Sequence, residues 1–222
     1  MNIVDLISQY RTEANDSAIP PFLADSVVVG YYNEAVDEAC RRRGLIFDNT
    51  TAAVCDIAVT SASAVYALHT AITTVNAAYL VDTGGNITYL SIQERDSLDT
   101  YRPTWREEDG APDTLIVDEL SVQIVPPPVE SYTLKLEVHR VPLVTMGTTG
   151  TPTPTPEIAL SHHRYLYHWV LYRAYGKPDS DMYDSGESEK HEARFTRYFG
   201  KKPTADRKRS TRANRPHRNK VW

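Results

Sequence analysis

The stretch from Pro156 to Gly200 constrains this chain most, because it reads as two helices with a sharp break between them. Over 158–176, Leu166, Trp169, Val170 and Ala174 recur at three- and four-residue spacing and share one face. Tyr165, Tyr172 and Tyr175 form a second, aromatic face. A helix apolar or aromatic on nearly every side has to be covered on more than one side. Gly176, Lys177 and Pro178 end it, since proline disfavours helix at the residue before it. A second helix follows over 184–199. Asp184 with Glu187 makes a capping-box-like start, and Arg194 and Arg197 suit the negative end. Gly200 is placed to take a left-handed cap, and Phe195 and Phe199 share a face with Tyr198 beside them.

The chain of 222 residues, 41% hydrophobic, suffices for one sizeable core or a core plus a small second module. It contains no run of eighteen apolar residues, so no membrane-spanning helix is expected, and the N-terminus lacks the basic start and apolar core of a secretion signal. The net charge of −5 hides a division. Residues 201–222 hold nine Lys/Arg against one acid, a balance of +8, and the other 200 residues hold fifteen bases against 28 acids, a balance of −13. A basic tail on an acidic body is the composition of an interaction arm. Cys40 and Cys55, on a predicted helix and a predicted strand, read as two reduced, buried thiols, with a disulfide as the alternative.

Ahead of the hairpin, two more helices are predicted. One covers 3–14, with Ile3, Leu6, Ile7 and Tyr10 on one face. The other covers 25–43, capped by Asp25 or Ser26, with Val28, Tyr32, Ala35, Val36 and Ala39 as its buried stripe and Gly44 as its C-cap. Arg41, Arg42 and Arg43 either complement the negative end of that helix or touch nucleic acid or a partner. From 52 to 142 the period shortens to two. Strands are expected at Val54–Val59, Ala64–Leu68, Ile72–Val81, Asn86–Leu90, Leu115–Val117, Leu120–Val125 and Tyr132–Val138, with hairpins at Gly84-Gly85 and Asp118-Glu119. Ile92–Asp99 suits one or two helical turns, and Trp105 with Gly110–Pro112 marks a loop. Such strands read as a small antiparallel sandwich or barrel. Residues 145–156, TMGTTGTPTPTP, read as an extended linker able to cover about 35 Å. The expected class is α+β: an α-helical bundle of about four helices with an inserted antiparallel β-rich module and an extended basic C-terminal tail. Its parts are a helical pair over 1–50, the β-rich module over 51–144, the linker over 145–156, a helical hairpin over 157–200 and the tail over 201–222.

No catalytic constellation emerges. His162, His163 and His168 are spaced by one, five and six, not by the four that puts two metal-binding rings on one helical face. Asp179, Asp181 and Asp184 lack the glycine and the terminal glutamate of a calcium loop and read as a solvated, capping turn. Gly84-Gly85 is followed by another strand, so it is a hairpin and not a phosphate loop. No serine sits in a G-x-S-x-G elbow, and Glu107 and Glu108 do not by themselves make a glycosidase pair. No enzyme, metal or cofactor is expected. The tail has no aromatic residue before Trp222, so it supplies charge without stacking platforms. It suits duplex phosphates or an acidic protein groove, against the alternative of an idle solvated tail.

The stretch LYRAYGKPDSDMYDSGESEKHEARFTRYFG, residues 171–200, resembles the C-terminal helical hairpin of head-to-tail adaptor proteins of tailed bacteriophages. There an Ala-Tyr–Lys-Pro-Asp break precedes an acidic helix rich in Glu, Ala, Arg and Phe, and the likeness extends over most of 1–205. The resemblance, strongest to adaptors of short-tailed phages, implies a structural protein of the virion neck, made in the host cytoplasm. It implies a ring of twelve copies beneath the portal, extending the DNA channel and docking the tail nozzle or tube, with genomic DNA passing through and no membrane involved. By similarity Arg207, Lys208, Arg209, Arg212, Arg215, Arg218 and Trp222 face the portal. The tyrosine excess, 14 against four Phe, suits subunit interfaces and points to Tyr165, Tyr172 and Tyr175. The other reading is a nucleic-acid-binding protein acting through its basic tail.

Overall fold

A computed structural model describes residues 1–61, 63–178 and 180–203. The chain is α+β and divides into two compact units, one of 1–46 with 140–202 and one built from 47–139.

The first unit is helical. Helix α1 (Ile3–Glu13) starts in a reciprocal capping box between Asn2 and Asp5 and buries Ile3, Leu6 and Tyr10. Helix α2 (Asp25–Arg43) buries the whole expected stripe and ends at Gly44 in the left-handed conformation, φ 59° and ψ 52°. Its N-cap is Ala24, without a side-chain bond, not Asp25 or Ser26. Asp25 instead lies in the first turn, where its charge suits the helix end and pairs with Arg11 at 2.7 Å. Tyr32 ties the two helices together, its hydroxyl donating to the Leu6 carbonyl at 2.7 Å.

The helix expected over 158–176 is two pieces, α5 (Leu160–His163) and α6 (Tyr167–Tyr175). Between them the amides of Tyr165 and Leu166 bond three residues back, to His162 and His163, which tightens the turn. The Arg164 carbonyl is taken by the Gln9 amide of α1 at 3.4 Å. The apolar spacing runs through this break unchanged, so the period alone does not reveal it. Helix α7 (Ser185–Phe199) follows the Pro178 break, with Asp184 capping the Glu187 amide at 3.0 Å. Gly200 has φ 94° and ψ 170°, a positive φ that favours glycine but is not the left-handed cap expected. The Thr/Pro-rich stretch is strapped to the helices: Asn33 of α2 exchanges two hydrogen bonds with the Met146 backbone, both 2.9 Å, and the Ile3 amide donates to the Pro154 carbonyl at 2.8 Å.

The second unit is a sheet of eight strands: β1 (Ile46–Asp48), β2 (Asp56–Val59), β3 (Val65–Ala67), β4 (Ile72–Val81), β5 (Ile87–Gln93), β6 (Thr114–Val117), β7 (Ser121–Val125) and β8 (Tyr132–Arg140). Their order is β1-β8-β4-β5-β6-β7-β3, with β2 also pairing β8. The strands follow one continuous path, and the module is not wholly antiparallel as expected: β5 and β6 run parallel, Ile92 opposite Leu115. A parallel pair needs a crossover, supplied by α4 (Arg95–Tyr101) and the loop to Asp113. The hairpins at Gly84-Gly85 and Asp118-Glu119 form as expected. Val54 and Cys55 lie in a single helical turn, α3 (Ala52–Cys55), rather than in a strand, and β1 was not foreseen.

Strand β8 alternates buried Leu134, Leu136 and Val138 with half-buried Lys135, Glu137 and His139, and these apolar residues join Leu80, Leu115, Val122 and Ile124 in the core. On the other face Trp105, Leu98, Ile116 and Val125 form a second cluster, with the Trp105 indole donating to Asp99 at 2.8 Å. The span 47–139 holds four bases against fourteen acids, a balance of −10. All four bases are engaged in ion pairs: Arg95 with Asp118, Arg102 with Glu108 and Asp113, Arg106 with Asp99, and Lys135 with Asp56.

Candidate functional site

The candidate site is the α6–α7 hairpin with the point where the basic segment leaves it. The hairpin is held by aromatic rings. Phe195 and Phe199 are fully buried, 4.5 Å apart between centroids, and Trp169 lies 5.0 Å from Phe195. Arg42 of α2 reaches into this cluster with its side chain only 4% exposed. Its guanidinium stands 5.4 Å from the Trp169 ring and 5.1 Å from the Phe195 ring, bonds Glu38 at 2.8 Å, and donates to the Thr196 hydroxyl at 2.7 Å and the Gly200 carbonyl at 3.1 Å. Arg43 donates to the Tyr198 carbonyl at 3.2 Å. These two arginines therefore cap the C-terminus of α7 from a different helix. Of the readings open for Arg41–Arg43, Arg42 and Arg43 follow the helix-end one, on a helix other than their own. Arg41 is exposed.

Each tyrosine of the expected aromatic face is half-buried. Tyr165 stacks on Tyr198 at 3.6 Å, with Arg164 over the Tyr165 ring and Arg43 over the Tyr198 ring. Tyr172 meets Trp169 edge-on at 5.1 Å, and Tyr175 lies nearly parallel to His191 at 6.0 Å. Arg207, Lys208, Arg209, Arg212, Arg215, Arg218 and Trp222 lie outside the described residues.

The three histidines of the sequence cluster do not converge. His162 Nδ1 meets the Tyr198 hydroxyl at 3.1 Å. His163 is buried between the carbonyls of Ile158 at 2.9 Å and Met1 at 3.1 Å. His168 faces His191, Nδ1 to Nδ1 at 3.0 Å, and both are buried. Burial, with His191 and Arg194 nearby, pushes His168 down to about 4. Burial and Arg194 lower His191 as well, against the opposing pull of Glu187. No sequence spacing could reveal this pair, because its members are 23 residues apart on two helices. Asp184 is the helix cap, Asp181 is exposed, and Asp179 lies outside the described residues. Among the described residues no group of three His, Cys, Asp or Glu is placed to hold a metal, and no helix is long and apolar enough to cross a membrane. Cys40 and Cys55 are free, buried thiols, and burial pushes Cys40 up to about 12.

The family model described as SU10 adaptor protein matches residues 1–219. The chain belongs to the SU10 adaptor family. These are head-to-tail adaptors of tailed bacteriophages, of the short-tailed type, and structural proteins of the virion neck. No curated protein sequence matches the adaptor. The match reaches from the first helix into the basic segment, so both lie within the family's extent.

Proposed function

We propose that the adaptor forms a closed ring, of about twelve copies, beneath the portal, extends the DNA channel and offers its other face to the tail. The observation that carries this reading is the family match over 1–219. The helices complete the bundle of about four helices that neighbours in the ring pack against, and closed rings use heterologous, head-to-tail contacts. The half-buried Tyr165, Tyr172 and Tyr175 keep part of each ring surface for a neighbour. Residues 201–222, with Arg207, Lys208, Arg209, Arg212, Arg215, Arg218 and Trp222, grip the portal: the charges attract over distance and Trp222 supplies an apolar anchor. The sheet unit, with its −10 balance and every base already paired, offers little to bind DNA phosphates, which suits a part that the genome must slide past.

Deleting 201–222 tests the grip. The truncated adaptor is expected to stay folded, by circular dichroism, and to lose stable attachment to purified portal at both low and moderate salt. If attachment persists and binding to duplex DNA is lost instead, with a steep salt dependence, the segment serves the genome and the grip is elsewhere.

A further inference from the structure

The His168–His191 contact joins two nitrogens of the same kind. A neutral imidazole carries one N–H, so the contact at 3.0 Å is a hydrogen bond only when one Nδ1 holds a proton and the other offers a lone pair. Three protonation states follow. With both rings neutral, one Nδ1–H is shared. With one further proton the bond survives, provided that the ring donating through Nδ1 takes the proton on its Nε2. His191 is built for that state, since its Nε2 lies 3.8 Å from the Glu187 carboxylate. With a second further proton both Nδ1 atoms carry hydrogen, the bond becomes a clash, and two like charges are shut in together.

We infer that this pair is a proton-operated catch between α6 and α7: it holds α7 down while at most one ring is charged and lets go when both are. The surroundings leave the second charge little relief. From α7, Lys190 and Arg194 add positive charge and Glu187 alone opposes it. From α6, Tyr167 lies 4.1 Å from His168 and Tyr175 lies 6.0 Å from His191, both neutral phenols. From α1, Glu13 acts on Tyr167, and Tyr10 of α1 and Tyr32 of α2 feel Tyr175 and Tyr167; among the described residues the one carboxylate paired with either imidazole is Glu187. The two residues are only 8% and 6% exposed, so water does not supply the missing screening while α7 stays in place.

The sign of the response is fixed by the geometry. The opened hairpin accepts protons that the closed one resists, so opening becomes easier as pH falls below the ordinary histidine value of 6.5. Because α7 leads directly to Gly200, opening also frees the root of the basic segment.

Hydrogen exchange on the full chain, corrected for the intrinsic pH dependence of the amides, tests this. Protection in α7 around Glu192–Thr196 is expected to fall on going from pH 7 to 4 while protection in the middle of α2 is kept. Linkage sets the slope: about tenfold per pH unit while opening takes up one proton and approaching about a hundredfold for two. His168→Asn keeps a polar group near the Nδ1 position and cannot titrate, so its slope is expected not to exceed about tenfold. Glu187→Gln is expected to shift the first proton uptake to lower pH without removing the second. Nitrogen chemical shifts of the wild-type imidazoles give a readout independent of any variant: near neutral pH, one Nδ1 of the pair protonated and the other not. The catch is overturned if α7 and α2 lose protection in parallel, if His168→Asn leaves the slope unchanged, or if both rings titrate independently near 6.5.

Discussion

At the scale of single residues, Arg42 ties α2 to both α6 and α7. It bonds Glu38, Thr196 and the Gly200 carbonyl while lying against two aromatic rings. Removing it strands a shielded carboxylate and a helix terminus together, so Arg42→Ala is expected to cost about 2–4 kcal/mol in urea unfolding. Arg42→Lys restores one charge but not the planar fork and should recover less than half. The long-range part of this was not legible in the sequence, where Arg42 sits in a basic run beside its own helix cap. Glu38 is a local partner, one helical turn away, but Thr196 and Gly200 are 154 and 158 residues away, and only the tertiary fold joins them. Trp169, which its spacing places on one face with Leu166, Val170 and Ala174, is half-buried, and among the described residues its shielded indole N–H has no hydrogen-bond partner. Trp169→Phe discards that donor and keeps a ring against Phe195, so its stability is expected within about 1 kcal/mol of the parent, whereas Trp169→Ala should lose about 3 kcal/mol. Equal losses for the two would mean that the indole N–H has a partner after all.

At the scale of elements, helix α2, strand β4 and the two tight hairpins follow from local rules: an apolar stripe at helical spacing, alternation at a period of two, and turn residues between strands. The break between α5 and α6, the parallel pairing of β5 with β6 and the three-residue strand β1 did not follow. Each is decided by a neighbour distant in sequence or by a segment too short to show a period. The turn from α6 into α7 shows how closely the hairpin is fitted. A Cβ on Gly176 would stand 2.9 Å from the Ser188 hydroxyl oxygen and 2.9 Å from the Tyr172 carbonyl, two atoms already bonded to each other. Gly176 has a negative φ, so the obstacle is space and not backbone strain. Gly176→Ala should therefore lower stability by about 1–3 kcal/mol. Adding Ser188→Ala should recover only part of it, because the carbonyl remains; full recovery in thermal melts would place the whole clash on the hydroxyl.

At the scale of the whole molecule, charge is sorted along the chain: −10 over 47–139 and +8 over 201–222. That division was legible from composition, and the family match agrees with the likeness seen in 171–200. The proposed assembly predicts that the adaptor alone sizes as a monomer or a weakly associated species and becomes a closed ring on portal. Light scattering that found a tight dimer, indifferent to added portal, would refute it. The arginine caps on α7 then take on a mechanical meaning. A helix pulled from its last residue unravels turn by turn, one bond at a time. Here tension arriving through residue 201 meets Gly200 and Tyr198 carbonyls already fastened to Arg42 and Arg43 of α2. Several bonds are loaded at once, in shear, and the pull passes into a nineteen-residue helix. Under the proposed grip on the portal, a pull on the basic segment would arrive along this direction, and two arginines would turn the weakest way to load a helix into one of the strongest.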